Sequence, residues 1–416
     1  MDRVKQLASH FVGSSTGLAA LERKSPDDIV ITMAIRSPLC KARKGGFKDT
    51  RSDELLTEML KQAISHSKID PAIIGDICVG TVLPRGPTYE ARAASLAAGI
   101  PDSVPIQTIN RFCSSGLMAV TTIANQIRAG QIEVGLAVGV ESMTANPDQG
   151  PDAPSEELKA IASVNDAMQP MGWTSENVAG DFNISREDMD HFAALSFQRA
   201  EQADNAGFFK SEIVPFTAYQ KDPATGERKK VLITRDDGIR PGTTQQSLLK
   251  IRPAFPQWQP AQTTGGNASQ ITDGAAAVLL MTRKKAEELG LTILAKHATT
   301  AVAGVAPRIM GIGPAVAIPM ALKSVGLTKG EVDLFEINEA FASQYVYCMR
   351  KLGLDAEKVN VNGGAIALGH PLDEYCTGAR QIATGLNELK RRGGKVLVTS
   401  MCIGTGMGAA GVFVRE

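Results

Sequence analysis

Asn110-Arg-Phe-Cys-Ser-Ser-Gly116-Leu117 sets one cysteine between an extended run and a helix. Upstream, residues 104–109 (Val-Pro-Ile-Gln-Thr-Ile) read as a short β segment. Downstream, Leu117, Val120, Ile123 and Ile127 recur at helical spacing until Gly130, a residue suited to ending a helix. Cys113 therefore falls at a helix N-terminus, where backbone N–H groups and the positive end of the helix dipole favour thiolate over thiol. Ser114, Ser115 and Gly116 keep the approach small and polar. Cysteine is also among the most frequently buried residue types, so on this stretch alone packing and nucleophilic attack stand equal.

Two distant stretches shift that balance. Gly363-Gly-Ala-Ile-Ala-Leu-Gly-His370-Pro371 delivers a histidine from a glycine-rich turn, and Ser400-Met-Cys402-Ile-Gly404-Thr-Gly406-Met-Gly408 delivers a second cysteine from a strand over residues 395–399. With Asn338-Glu-Ala-Phe341 added, the four segments, in this order, closely resemble the thiolase family. The resemblance runs from about Asp27 to the C-terminus and is nearest to the family's peroxisomal 3-ketoacyl-CoA members.

The 416 residues suffice for two or three units and a large core. Lys plus Arg equal Asp plus Glu at 44 each, so no nucleic-acid or anionic-membrane field is implied, while a local basic patch for a phosphorylated ligand stays open. The 40 glycines and 5% aromatic content fit tightly packed α/β layers. No apolar run approaches a membrane span, so a soluble protein is expected. Cys40, Cys78, Cys113, Cys348, Cys376 and Cys402 are scattered without zinc-site spacing, which points to a reducing compartment and no metal.

In chain order, residues 1 to about 26 lack an apolar signal core and read as an appended segment that contributes little to the core. Arg3-Val4, five residues, then His10-Phe11 resembles a type-2 peroxisomal targeting signal, which implies a peroxisomal location and an import receptor as partner. Residues 27–143, completed by 267–292, alternate strand and helix as a sheet covered on both faces. Residues 144–266 are polar and irregular. They are read as an inserted lid-like loop domain, which the resemblance places on the CoA side, broken by a helix near 174–182 and a longer one opening at Ser185, whose capping box with Asp188 fixes its start. Residues 293–416 repeat the first half, with a helix expected over 338–352 and Cys113 and His370 in matching places, each ahead of a helix followed by a buried strand.

The resemblance implies an α/β fold of two duplicated halves in alternating layers, a homodimer, and an acetyl-CoA C-acyltransferase of β-oxidation. Its substrates would be 3-ketoacyl-CoA, acetyl-CoA and CoA, with no permanently bound cofactor. It further implies that Cys113 becomes acylated, His370 takes its proton, and Cys402, a thiol near its usual pKa, moves the α-carbon proton in either direction. The N–H groups of Cys113 and Gly404, and His370 with a water held by Asn338, would stabilise the oxyanions. Ser269 matches a pantetheine contact, Met171 and Phe341 match apolar contacts around the thioester, and Arg240 is aligned toward the nucleotide end of CoA.

The chain departs from the family pattern after His370. Where one glycine is usual, Asp373-Glu374-Tyr375 stand before Cys376-Thr377-Gly378-Ala379-Arg380. The longer loop is expected to shift the histidine, and its two carboxylates to raise the histidine's pKa. Phe112 replaces a usual glutamine, and Trp173 and Gly265 are less usual residues. A biosynthetic acetoacetyl-CoA thiolase on the same fold stands as one alternative, and the insertion makes a catalytically impaired CoA-binding homologue another. A decarboxylating ketoacyl synthase is disfavoured because it would require a second histidine in a suitable motif, and only His370, of five histidines, has one.

Overall fold

The computed structural model describes residues 17–370 and 377–416. The Arg3–Phe11 pattern and the Asp373–Tyr375 insertion lie outside the described residues. In chain order the first half contains β1 (Ile29–Arg36), β2 (Cys40–Lys41), helix α1 (Ser52–Ser67), β3 (Asp76–Gly80), α2 (Pro87–Ala97), β4 (Ile106–Ile109), α3 (Ser115–Arg128) and β5 (Val134–Ser142). Helices α4 (Met171–Asp181) and α5 (Arg186–Asn205) and the hairpin β6 (Phe216–Lys221) and β7 (Arg228–Ile233) form the inserted region, after which β8 (Thr272–Thr282) returns to the sheet. The second half contains β9 (Ala295–Gly304), α6 (Gly313–Ser324), β10 (Leu334–Ile337), α7 (Ala342–Leu352), α8 (Thr377–Arg392), β11 (Val396–Ile403) and β12 (Met407–Arg415).

The duplication is visible in strand pairing. In the first half β3 pairs parallel with β5, β5 antiparallel with β8, and β8 antiparallel with β1. In the second, β10 pairs parallel with β11, β11 antiparallel with β12, and β12 antiparallel with β9. Even the outer strand β4, parallel to β3, has its counterpart in the parallel bridge Phe335 to Val359. The halves join where Val30 and Ile31 of β1 pair with Lys296 and Ala295 of β9.

Both faces of each half are buried, as near-continuous apolar strands require. On β8, Ala275, Ala277, Leu279 and Met281 pack with Leu55, Met59 and Leu60 of α1, while Ala276, Val278 and Leu280 face α3. On β11, Val396 and Val398 face Ala317, Ile318 and Leu322 of α6, while Leu397, Met401 and Ile403 face the central helices. The result is five layers, helix, sheet, helix, sheet, helix, with α3 and α8 side by side in the middle. Their contact begins at their first turns, since a Cβ on Gly378 would lie 2.3 Å from Leu117 N.

Two sequence expectations need correction. Residues 17–26 are part of the body: Leu18 and Leu21 pack on the outer cluster of the second half, Gly17 N–H donates to Val325 O (3.3 Å), and Lys296 Nζ donates to Arg23 O (2.6 Å). The inserted region also enters the core, because Met189, Ala193 and Phe197 of α5 belong to the central cluster. A fully buried Arg36 ties this region to β1 through Glu212 (2.6 Å) and a bidentate bond to Asp236 (2.7 and 2.9 Å). The α5 start falls where the capping box placed it, with the Ser185 hydroxyl accepting from Asp188 N–H.

Candidate active site

The turn that carries Cys113 is wired by its polar neighbours. Asn110 Oδ1 accepts from Phe112 N–H (3.1 Å), Ser115 Oγ accepts from Arg111 N–H (2.6 Å), and Ser114 Oγ donates to Arg111 O (2.9 Å). Phe112 is held at φ +43°, a left-handed conformation that costs a bulky residue on the order of 1–3 kcal/mol. α3 begins at Ser115, two residues beyond Cys113, so the cysteine immediately precedes the first turn, and it is fully buried. Gly80 allows this seat, because a Cβ there would lie 2.6 Å from Ser115 C.

His370 is delivered from the opposite half. Gly369, at φ +110°, has no space for a side chain, since a Cβ would come within 2.2 Å of Thr272 Oγ1. His370 N–H donates to Gln270 O (2.8 Å), and Gln270 Nε2 donates to the carbonyls of Gly238, Ile366 and Ala367 at 2.9, 3.0 and 2.9 Å. Asn338 Nδ2 donates to His370 Nε2 at 3.2 Å. Asn338 itself is not helical as expected: it prolongs β10, its N–H donating to Ser400 O (2.8 Å), and α7 starts only at Ala342, whose N–H donates to Asn267 O (2.9 Å). These tertiary bonds outcompete the helical pairing that the sequence spacing suggested.

Cys402 lies on β11 opposite Gly408 and is fully buried. It packs with Met310, Ala340 and Phe341, and Met171 and Ala268 close the same cluster. Two of the residues aligned with thioester contacts, Met171 and Phe341, therefore surround the second cysteine. Ser269, beside Ala268, donates its N–H to Ala340 O (3.0 Å). Gly404 follows β11 and faces the neighbour of the first cysteine, with a Cβ position 3.5 Å from the Phe112 ring. Arg240 makes its bonds to Gly265 O (3.4 Å) and lies over the Phe197 ring, 5.4 Å from its centroid.

Burial sets the protonation states. It is the main cause holding His370 well below the ordinary histidine range, with Arg380 adding to the effect, so the ring is a neutral base near pH 7. The upward push expected from Asp373 and Glu374 concerns residues outside the described ones. Burial, then Cys348, pushes the Cys402 thiol up to about 12, so the expectation of a thiol near its usual pKa is also corrected: it is a firmly protonated acid. Among the described residues, Asn338 Oδ1 is a buried acceptor with no hydrogen-bond partner. Among the described residues no His, Cys, Asp or Glu cluster fits a metal ion, and no helix is long and apolar enough to cross a membrane.

Sequence reading missed Gln270, Thr272 and Glu339, which fix the histidine loop. Glu339 stood inside a quoted motif, but with Asn338 beside it and Glu336 three residues before, nothing local set it apart.

Comparison with known proteins identifies the family. The family model for the thiolase N-terminal domain matches residues 29–284, and that for the thiolase C-terminal domain matches residues 291–415. The chain is 52% identical to peroxisomal 3-ketoacyl-CoA thiolase 1 of Arabidopsis thaliana, over 100% of this chain and 96% of that protein. The dimeric peroxisomal thiolase of Saccharomyces cerevisiae superposes with a TM-score of 0.88 at 48% identity, covering 96% of this chain and 100% of that one. Human mitochondrial 3-ketoacyl-CoA thiolase, solved in complex with CoA, superposes with a TM-score of 0.82 at 36% identity, covering 94% and 98%. Two facing halves that present a cysteine, a histidine and a second cysteine, matched end to end by both domain models, place this chain in the thiolase family.

Proposed function

We propose that the chain is a 3-ketoacyl-CoA thiolase, cleaving 3-oxoacyl-CoA with CoA to give acetyl-CoA and a shortened acyl-CoA in peroxisomal fatty-acid β-oxidation. What supports the assignment of roles is the Asn338–His370 contact, the apolar cluster around Cys402, and the approach of Gly404, two residues beyond Cys402, to Phe112, the neighbour of Cys113.

Cys113 sulfur attacks the C3 ketone and its proton passes to neutral His370. The C2–C3 bond then breaks, the acyl group stays on Cys113, and the acetyl-CoA enolate takes a proton from Cys402 at C2. A thiol raised by burial is a poor spontaneous acid, so it releases its proton only to a strong base such as the enolate. In the second half-reaction the CoA thiol attacks the acyl-cysteine, its proton returning to Cys402 and that of the imidazolium to Cys113. Cys113 N–H and Gly404 N–H serve one oxyanion; the second is served by His370 and by a water for which Asn338 Oδ1 is a suitable acceptor. Ser269, Met171 and Phe341 contact the pantetheine and thioester, and Arg240 the nucleotide end. We further assign residues 144–266 to the CoA side between halves 27–143 with 267–292 and 293–416, the active unit to a homodimer, and the Arg3–Phe11 pattern to an import receptor.

The roles are tested by brief incubation with acyl-CoA followed by peptide mass spectrometry, alongside thiolysis of acetoacetyl-CoA and of a longer 3-ketoacyl-CoA. The label is expected on Cys113, with turnover of the longer substrate; a label on Cys402 reverses the two cysteines' roles.

A further inference from the structure

We infer that Glu339 is a positioning residue of this enzyme, locking the loop that delivers His370 to the strand end that delivers Asn338. The inference rests on the roles proposed above for those two residues.

Glu339 is 3% exposed, and no ion pair to it occurs among the described residues. Its carboxylate gathers three donors from two segments distant in sequence. Ser196 Oγ of α5 donates to Oε2 (2.6 Å), Ile366 N–H donates to Oε2 (3.1 Å), and Asn360 Nδ2 donates to Oε1 (2.8 Å). Ser196 Oγ in turn accepts from Gly364 N–H (3.0 Å), so Glu339 holds the start of the glycine turn at Gly364 and Ile366, while Gln270 holds its end. The fit is close: a Cβ on Gly364 would lie 2.3 Å from Glu339 Cδ, and one on Gly363 would lie 2.5 Å from Ser196 O. Asn360 also brackets Ile337, its Oδ1 accepting from Ile337 N–H (2.8 Å) and its Nδ2 donating to Ile337 O (2.7 Å).

Asn338 is thus flanked on both sides by residues bonded to the segment that ends in His370. Burying a carboxylate is unfavourable without such donors, so this is a costly residue for a site that needed only packing. What the arrangement secures is the 3.2 Å Asn338–His370 contact. A shift of about 1 Å at a reacting group costs on the order of a hundredfold in rate.

The test is a double-mutant cycle in the full chain with Glu339→Gln, Asn338→Ala and both together. Glutamine keeps the shape but turns one acceptor into a donor facing donors. Glu339→Gln is expected to lower kcat about ten- to a hundredfold with KM within about twofold, and to add little once Asn338 is alanine. Should Glu339→Gln fail to fold, Ser196→Ala, which cuts the relay to Gly364, takes its place with a smaller loss and the same non-additivity. A kcat near the parent's in the replacement that folds, or losses that simply multiply in the double variant, overturns the inference. The Asn338→Ala arm tells the two readings apart. Slow Asn338→Ala with normal Glu339→Gln overturns the Glu339 role alone, whereas normal Asn338→Ala overturns the role given to Asn338 and the route through it.

Discussion

The two halves share a strand order, yet they hold their chemical groups in opposite ways. In the first half Cys113 sits two residues before α3 and is fixed locally, by Asn110, Ser114 and Ser115 within one turn. In the second half His370 stands seven positions before α8 and is fixed by residues far away in sequence, Gln270, Asn338 and, through the preceding loop, Glu339 and Ser196. The difference follows from the chemistry. A nucleophile gains from the helix dipole and needs only its own turn, whereas a base must be aimed at another group and needs an external frame.

The largest expected effects separate the groups themselves. Cys113→Ala removes the covalent step and should lower kcat by on the order of 10⁴-fold or more, whereas His370→Asn, which removes one proton transfer, should cost on the order of 10²- to 10⁴-fold. Steady-state thiolysis of both variants checks the ranking; a His370 variant slower than the Cys113 variant would erase the division of roles.

Next come the two glycines that seat these frames. Gly80→Ala forces a Cβ to within 2.6 Å of the Ser115 backbone, and Gly364→Ala forces one to within 2.3 Å of the Glu339 carboxyl. Each should destabilise by about 1–3 kcal/mol. Gly80→Ala should cost more stability, because backbone must move, and Gly364→Ala should cost mainly kcat, because an aimed side chain moves. Thermal melts beside kcat measurements would show whether the local and remote frames respond so differently.

Replacing Asp373-Glu374-Tyr375 with one glycine tests the remote frame from the other end. If the longer loop lets His370 drift, turnover rises severalfold while the thermal midpoint changes little, since two residues barely alter closure entropy. If Gln270 and Asn338 already hold the ring, kcat stays put, and the insertion is a tolerated bulge.

The smallest effect compares the first strands of the halves. β1 buries Arg36 among two carboxylates, whereas β9 buries His297, whose Nε2 lies 3.0 Å from Thr300 Oγ1. Burial, then Arg128, lowers the His297 pKa from 6.5 to about 3. The unfolded chain takes up a proton at this position below pH 6.5 and the folded chain does not, so stability present above that pH is lost as pH falls toward 3. Replacing His297 with glutamine should therefore shrink the drop in thermal midpoint between neutral and mildly acidic pH by on the order of a few degrees. An unchanged pH slope would show that this buried ring contributes nothing to acid lability.

The sequence by itself determined the elements and their chemistry. Alternating and continuous apolar runs marked β5, β8 and β11, the helical spacing after Leu117 marked α3, and the capping box marked α5, because each of these signals is local. Cys113, His370, Cys402 and Asn338 were legible as candidates for the same reason, each lying in a compact motif. Tertiary structure alone decided that residues 17–26 join the body, that Asn338 prolongs a strand, and that burial shifts His370 down and Cys402 up. It also decided that Glu339, Gln270 and Ser196 bind the histidine loop. Such bonds join residues up to 168 positions apart, as Ser196 and Gly364 are, and no local period records a partner that only folding brings near.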